Sequence, residues 1–323
     1  MGEQAPARAI SCNLAEAGFE EAERIEDADA VITYFASQSA LEDAYFDTGG
    51  LVQSARKDAY LVDLSATTPG FARELNAVAI VNDLRAVEAP LLVLDITEED
   101  AFSDPDNLVV FLAAEDDDAR AVAPLLEAVA GFIELSGETA GAAQLARAMA
   151  TLALAAQVVS VMEADALARA CGFGARAREL VRAVSAQGVT SEAALRIHEA
   201  VSEQRFSGTY TTAILMSELS AALAAADDAD LILPGAEAAL HLLELLAVIG
   251  GSDMAPAALS LAYADEATCA EHGLDWTRAE KAFGSAEHDH DHDDDEFGFD
   301  DDEFGFDEGA DEYPGGFGRY SAN

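Results

Sequence analysis

The 323-residue chain is 51% hydrophobic and carries 62 acidic against 17 basic residues, for a net charge of −45. A chain of this length can bury about two domain-sized cores, and three widely separated cysteines (Cys12, Cys171, Cys269) are typical of a reducing cytoplasm. A surface this acidic repels nucleic acid and anionic lipid. With neither a signal peptide nor a membrane span predicted, we expect a cytoplasmic protein.

Five short apolar runs in the first 137 residues are predicted as strands, at 29–36, 59–65, 89–97, 107–115 and 131–137. They are mostly continuous rather than alternating, which is typical of strands buried on both faces of a parallel sheet. Amphipathic segments at 39–46, 70–79 and 117–130 are predicted as crossover helices. Residues 1–137 are therefore predicted to form an α/β domain with a doubly wound parallel sheet.

The apolar period becomes helical after Gly137. Residues 140–170 are predicted as one long interdomain helix, buried nearly all round because small and apolar residues dominate it. Further helical segments follow to about residue 262, without a strand signal, so residues 138–284 are predicted as an all-α domain. Residues 285–323 are acidic and repetitive, with DEFGFD at 295–300 and again at 302–307, and are predicted to be disordered.

Several motifs, taken in order, resemble the β-hydroxyacid dehydrogenases, the family that contains 3-hydroxyisobutyrate dehydrogenase. Asp63-Leu64-Ser65-Ala66-Thr67-Thr68-Pro69 is similar to the family's D-x-S-T-x-x-P, and Glu88-Ala89-Pro90 to its D-A-P. Residues 31–51 resemble its strand, cofactor loop and helix, and residues 233–261 its C-terminal region. The resemblance implies a Rossmann-like domain, an all-α domain, NAD or NADP as cofactor, and a homodimer paired through the helical domain.

The cofactor half departs from the family pattern. The family begins with strand, G-x-G-x-x-G and helix, which together bind the pyrophosphate, and neither this loop nor an acidic ribose-binding residue is found. The Rossmann-like domain is therefore predicted to be curtailed, with weak or no NAD(P) binding. The residues that the resemblance leaves near a cofactor are Phe35, Ala36, Ser65 and Ala66. An alternative is that the first strand and loop lie upstream of Met1.

The catalytic positions depart as well. Aligning Gly141 with the second glycine of the family's G-x-G-x-x-x-K-x-x-N-N puts Leu145 at the catalytic lysine, so no catalytic residue is predicted. Arg147 is expected to point away from that face, about 200° further round the helix. Leu92-Val93-Leu94 replaces the family's S-G-G, and Ser217-Glu218-Leu219 its K-D-L. Leucine cannot donate a proton or stabilise an oxyanion, so the chain is predicted to be a pseudoenzyme.

The acidic tail suggests two further interpretations. His288, His290 and His292 alternate with carboxylates and predict weak, promiscuous binding of a divalent metal. The phenylalanines of the DEFGFD copies suit a basic-rimmed groove on a protein partner, so a non-catalytic dimeric interaction protein is the alternative function. A tail that only adds solubility, including at high salt, explains the same composition.

Overall fold

The computed structural model describes residues 1–2 and 4–283, which belong to one compact unit. In chain order its N-terminal elements are α1 (Gln4–Glu16), β1 (Ala30–Thr33), α2 (Gln38–Phe46), α3 (Leu51–Ser54), β2 (Tyr60–Asp63), α4 (Pro69–Val81), β3 (Arg85–Glu88), β4 (Leu91–Val93), β5 (Leu108–Ala113), α5 (Asp116–Val129) and β6 (Phe132–Gly137). The predicted tail and its disorder lie outside the described residues.

Helices make up the remainder of the described chain. They are α6 (Ala142–Ala170), α7 (Gly174–Ser185), α8 (Glu192–Ser202), α9 (Thr212–Asp227), α10 (Pro234–Leu246), a π-turn (Ala247–Gly251), a 3₁₀ segment (Pro256–Tyr263), α11 (Glu266–Glu271) and α12 (Thr277–Phe283). The long helix predicted over residues 140–170 and the absence of strands between 175 and 260 are both confirmed, whereas the position of this helix between two domains stays a prediction. The division of the chain at residue 137 remains a prediction.

The sheet is mixed, so the prediction of a parallel sheet is wrong in part. Strands β1, β2 and β3 are parallel neighbours, whereas β5 runs antiparallel to β3 and β4 and parallel to β6. Strands β3 and β4 keep one register against β5, with Glu88 opposite Ala113 and Leu91 opposite Val110, and together they form a strand interrupted at Pro90. The continuous apolar runs predict five of these six strands, all except β3, but they do not predict the strand directions.

The N-terminus lies alongside β1. The Met1 ammonium group donates to the Ile32 carbonyl at 2.8 Å, and Gly2 pairs with Tyr34 in parallel. A Cβ at position 2 would lie 1.6 Å from the Tyr34 carbonyl oxygen, so only glycine fits there. Between α1 and β1 the described chain has a 3₁₀ turn at Ile25–Asp27 and no strand, as expected for a curtailed first half.

Helix α6 is the common wall of the sheet and the helical layer. Its buried residues recur every three or four positions, including Gln144, Arg147, Thr151, Leu154, Val158 and Met162. Leu145, Met149 and Leu167 are 54–66% exposed, so the expectation that this helix is buried all round is wrong. By length and hydropathy alone, α6 and residues 234–251 would also qualify as membrane spans. This is weak evidence for a membrane protein, because core helices of soluble proteins meet the same criterion.

Candidate functional site

The most deeply buried charged side chain of the described chain, that of Arg147, lies where α6 meets the sheet and α9. The Arg147 side chain is 1% exposed; its Nε donates to the Leu91 carbonyl at 2.6 Å, and one terminal nitrogen lies 2.5 Å from Glu218 Oε1. Its other terminal nitrogen contacts the Thr151 hydroxyl. The Tyr210 hydroxyl donates to the second Glu218 oxygen at 2.6 Å. Each charge is therefore matched inside the protein.

The groups around Arg147 and Tyr210 shift the pKa values of both side chains. Burial is the largest single influence on Arg147 and lowers its pKa, but Glu218, Tyr210 and Tyr34 together raise the pKa above its ordinary value. Burial and the neighbouring Glu218 charge raise the pKa of Tyr210 well above its ordinary value. A guanidinium with a raised pKa does not release its proton near neutral pH. Arg147 and Tyr210 therefore both keep their protons at neutral pH.

The structure corrects the orientation expected for two residues of α6. Leu145, placed at the family's lysine position by the sequence, is 54% exposed and does not reach the interior. Arg147, expected to point away from the site, is the residue that enters it. The buried stripe shared by Gln144, Arg147 and Thr151 was the available signal, because these residues continue the helical spacing of Leu154 and Val158.

A second buried polar group lies at the carboxyl ends of β1 and β2. Asp63 Oδ1 accepts from the Ser65 hydroxyl at 2.7 Å, the Ser65 N–H at 3.1 Å and the Thr33 hydroxyl at 3.0 Å. Burial raises the pKa of Asp63 to about 6, although these donors act to lower it. The Ser65 hydroxyl also accepts from the Phe35 N–H at 2.9 Å. Both hydrogen-bonding capacities of Ser65 are thus used within the fold.

The start of α6 is held from the sheet by Glu88, in the motif that resembles D-A-P. Its two carboxylate oxygens accept from the N–H groups of Gly141 and Gln144, each at 2.5 Å. Burial raises the pKa of Glu88, and these N–H groups act to lower it. A carboxylate of the protein itself therefore occupies a helix N-terminus, a position that favours anions.

The turn after β2 is bonded to α6 and α2. The Gln144 amide accepts from the Thr67 N–H at 2.9 Å and donates to the Ser65 carbonyl at 2.9 Å. The Thr68 N–H donates to the Gln38 side chain at 3.0 Å. The space left between this turn, Arg147 and Glu218 has no room for a water molecule, far less than the ~300–1,000 Å³ typical of ligand pockets.

The four predicted cofactor residues lie in two places. Phe35 and Ser65 are hydrogen-bonded to each other, and Ala36 packs partly buried against the main core. Ala66 lines the small space beside Arg147. Their role in binding a cofactor stays a prediction. His288, His290 and His292 lie outside the described residues; among the described ones, no cluster of three or more His, Cys, Asp or Glu could hold a metal.

The residues present do not fit a dinucleotide pyrophosphate well. In the spacing G-x-G-x-x-G, Gly2 stands at the first glycine, while Gln4 and Ala7 stand at the other two. Residues 17–29 of the described chain contain no strand that could carry a ribose-binding acid. In the turn after β2, the N–H groups of Ser65, Thr67 and Thr68 are already paired, whereas the buried Thr67 hydroxyl has no partner among the described residues. We therefore derive no chemical step through a nicotinamide.

Comparisons with known proteins agree with the fold. The model of the NAD binding domain of 6-phosphogluconate dehydrogenase matches residues 3–137. An uncharacterised oxidoreductase of Bacillus subtilis is 28% identical over 148 residues, 46% of this chain and 49% of its own length. A probable 3-hydroxyisobutyrate dehydrogenase of Mycobacterium tuberculosis is 27% identical over 154 residues, 48% and 49% of the two chains. The chain thus spans about half the length of the curated relatives it matches.

Solved structures extend the likeness over most of the chain. Mycobacterium tuberculosis 3-hydroxyisobutyrate dehydrogenase has a TM-score of 0.68 at 21% identity, covering 81% of this chain and 96% of its own. The enzyme from Salmonella typhimurium has a TM-score of 0.66 at 15% identity, covering 80% and 97%. At such identity these structures support the fold alone. Taken together, the sequence matches and the fold support a relationship to the β-hydroxyacid dehydrogenases, and this resemblance implies NAD or NADP as the cofactor.

Proposed function

We propose that this chain is a catalytically degenerate member of the 3-hydroxyisobutyrate dehydrogenase-like oxidoreductases, with weak or no NAD(P) binding. The observation that carries the proposal is the closed Arg147–Glu218 pair, 1% and 5% exposed. Hydride transfer to or from a hydroxy acid needs a group that exchanges a proton with the substrate oxygen. An arginine whose donors are engaged by Glu218, Leu91 and Thr151 is a poor candidate for that exchange.

The cofactor side supports the same proposal. Only one of three loop glycines stands before α1, and Ser65 makes its hydrogen bonds within the fold. Losing several charge-assisted hydrogen bonds, at about 1.5–3 kcal/mol each, takes a micromolar cofactor to millimolar or weaker. We place the protein in the cytoplasm, because its cysteines are unpaired and its family is generally soluble.

The test is titration of the full chain with NADH and NADPH, followed by calorimetry and by reduced-nicotinamide fluorescence. The M. tuberculosis 3-hydroxyisobutyrate dehydrogenase serves as a positive control. We expect no saturation below millimolar cofactor, and no cofactor reduction with 3-hydroxyisobutyrate or L-serine. Saturable binding in the low micromolar range would refute the cofactor half of the proposal, and wild-type turnover of 3-hydroxyisobutyrate or L-serine above the background rate would refute the catalytic half.

A further inference from the structure

A groove of about 250 Å³ lies beside β3 and reaches Glu88 and Gln144 at the start of α6. It exists because β5 pairs with β3 only at Glu88 and Ala113, after which the chain turns away into α5. The N–H groups of Arg85 and Ala89 donate towards β2, so in a parallel ladder the backbone of Ala86 faces the opposite edge. Within the described chain, no strand pairs with that edge at Ala86.

The walls of the groove combine apolar and polar side chains in similar shares. Helix α4 contributes Ala72, Leu75 and Ile80 on one side, and the end of β5 contributes Ala113 and Ala114 on the other. Leu75 and Ala113 are buried and form part of the floor, whereas Ile80 is 64% exposed at the rim. A concave apolar wall beside a few polar groups is the usual composition of a small-ligand site.

The charges around the groove are mostly negative. Glu88 lies at its inner end, and the exposed Glu115 and Glu138 lie on its rim. Arg85 also lines the groove, but its guanidinium is bonded to Asp118 at 2.7 Å. An anion would meet an excess of carboxylates here, whereas a cation with an apolar body would match both the charge and the walls.

From this combination we propose that the groove binds a small organic cation, an amine whose ammonium group faces Glu138 and Glu88 and whose hydrocarbon part lies against Leu75 and Ala113. The free N–H and C=O of Ala86 supply further hydrogen bonds to a polar substituent. The modest volume selects a compact molecule rather than a nucleotide. The proposal does not depend on whether the Arg147 centre is catalytic.

The experiment uses the full-length ¹⁵N-labelled protein and cyclohexylamine as the probe, with cyclohexanol as its neutral isostere. We expect saturable shifts centred on the amides of Ala86, Ala114 and Ala140, with cyclohexylamine binding about tenfold more tightly than cyclohexanol, a ratio worth ~1.4 kcal/mol. Added salt should weaken the amine more than the alcohol. Equal binding of the two probes, or shifts spread over the acidic surface, would overturn the proposal.

Matched variants separate the groove from the general negative charge. Glu138→Gln, on the rim, should weaken cyclohexylamine roughly three- to fivefold, the effect of one partly screened charge. Glu127→Gln removes one exposed carboxylate from α5 outside the groove and should leave binding unchanged. Ala140→Leu should narrow the groove and weaken both probes. Equal weakening by the two glutamine variants would contradict a specific site.

Discussion

Arg147 and Glu218 show how a single buried pair constrains this fold. Removing one partner leaves the other charge buried without compensation, which typically costs 3–5 kcal/mol, whereas replacing both by apolar residues costs far less. The pair is fully enclosed, so neither charge can recover its hydration by a small movement. Its contribution is therefore best measured as a coupling between the two residues.

We expect Arg147→Met to lower the free energy of unfolding by about 3–5 kcal/mol, and Glu218→Met to do the same. The double variant should be much less destabilised than the sum of the two single variants. Urea unfolding followed by circular dichroism gives the free energy of unfolding of the wild type, the two single variants and the double variant, which completes the double-mutant cycle. Additive losses would show that the two side chains do not interact in solution.

Asp63 predicts a pH dependence of stability. Its pKa is about 6 in the fold and about 3.9 in an unfolded chain, so folding favours its protonated form. The contribution of Asp63 is fully present below about pH 4 and is lost as pH rises through about 6, by roughly 3 kcal/mol in total. Burial of Glu88 acts in the same direction.

The measurement compares the free energy of unfolding of the wild type and Asp63→Asn between pH 4 and pH 7. The wild type should lose stability relative to the variant as the pH rises through this window, because asparagine does not ionise. A constant difference between the two proteins would mean that the Asp63 pKa is not raised. Asp83→Asn, at an exposed carboxylate, is the control and should not remove the wild-type loss.

At the scale of elements, the end of β3 and the start of α6 form one unit. Glu88 accepts from two N–H groups that no residue of α6 can satisfy. Glu88→Ala should lower the free energy of unfolding by about 1–3 kcal/mol, since it removes a charged cap from a buried helix end. Glu115→Ala at the N-cap of α5, where no side-chain hydrogen bond is made, should change it by less than about 0.5 kcal/mol.

The sequence predicts most elements here, and its failures have identifiable causes. Runs such as 108–113 are apolar throughout and signal a strand regardless of context. Strand β3 was missed because Arg85 and Glu88 at its ends break the apolar run, although its centre is buried. The direction of β5 is set by pairing with β4 across a long connection, which local composition does not encode.

The candidate site was predictable only in part. The sequence reveals the D-x-S turn and the D-A-P-like strand. They contain Asp63 and Glu88, two of the buried carboxyl groups of the candidate site. The motif alignment points to Leu145, whereas the helical spacing of buried residues points to Arg147. The alignment alone therefore does not reveal the role of Arg147. Glu218 could not be paired with Arg147 from sequence, since 71 positions separate them and only the packing of α9 on α6 brings them together.

On the scale of the whole molecule, the exposed apolar residues of α6 bear on assembly. Leu145, Met149 and Leu167 are each more than half exposed, although the chain is strongly acidic. We expect a homodimer that covers part of this surface, with a mass near twice 33.8 kDa by light scattering. Met149→Glu should shift the mass towards that of one chain; a wild-type mass of one chain at high salt would contradict this prediction.

Two tethers fix α6 to one strand of the sheet: the Glu88 cap at its start and the Arg147 bond to Leu91 one turn later. The helix also packs on α8 and α9. It cannot move away from the sheet without breaking both tethers. Amide hydrogens in the middle of α6 and in β3 and β4 should therefore exchange with deuterium at the same slowest rate, as members of a single cooperative unit.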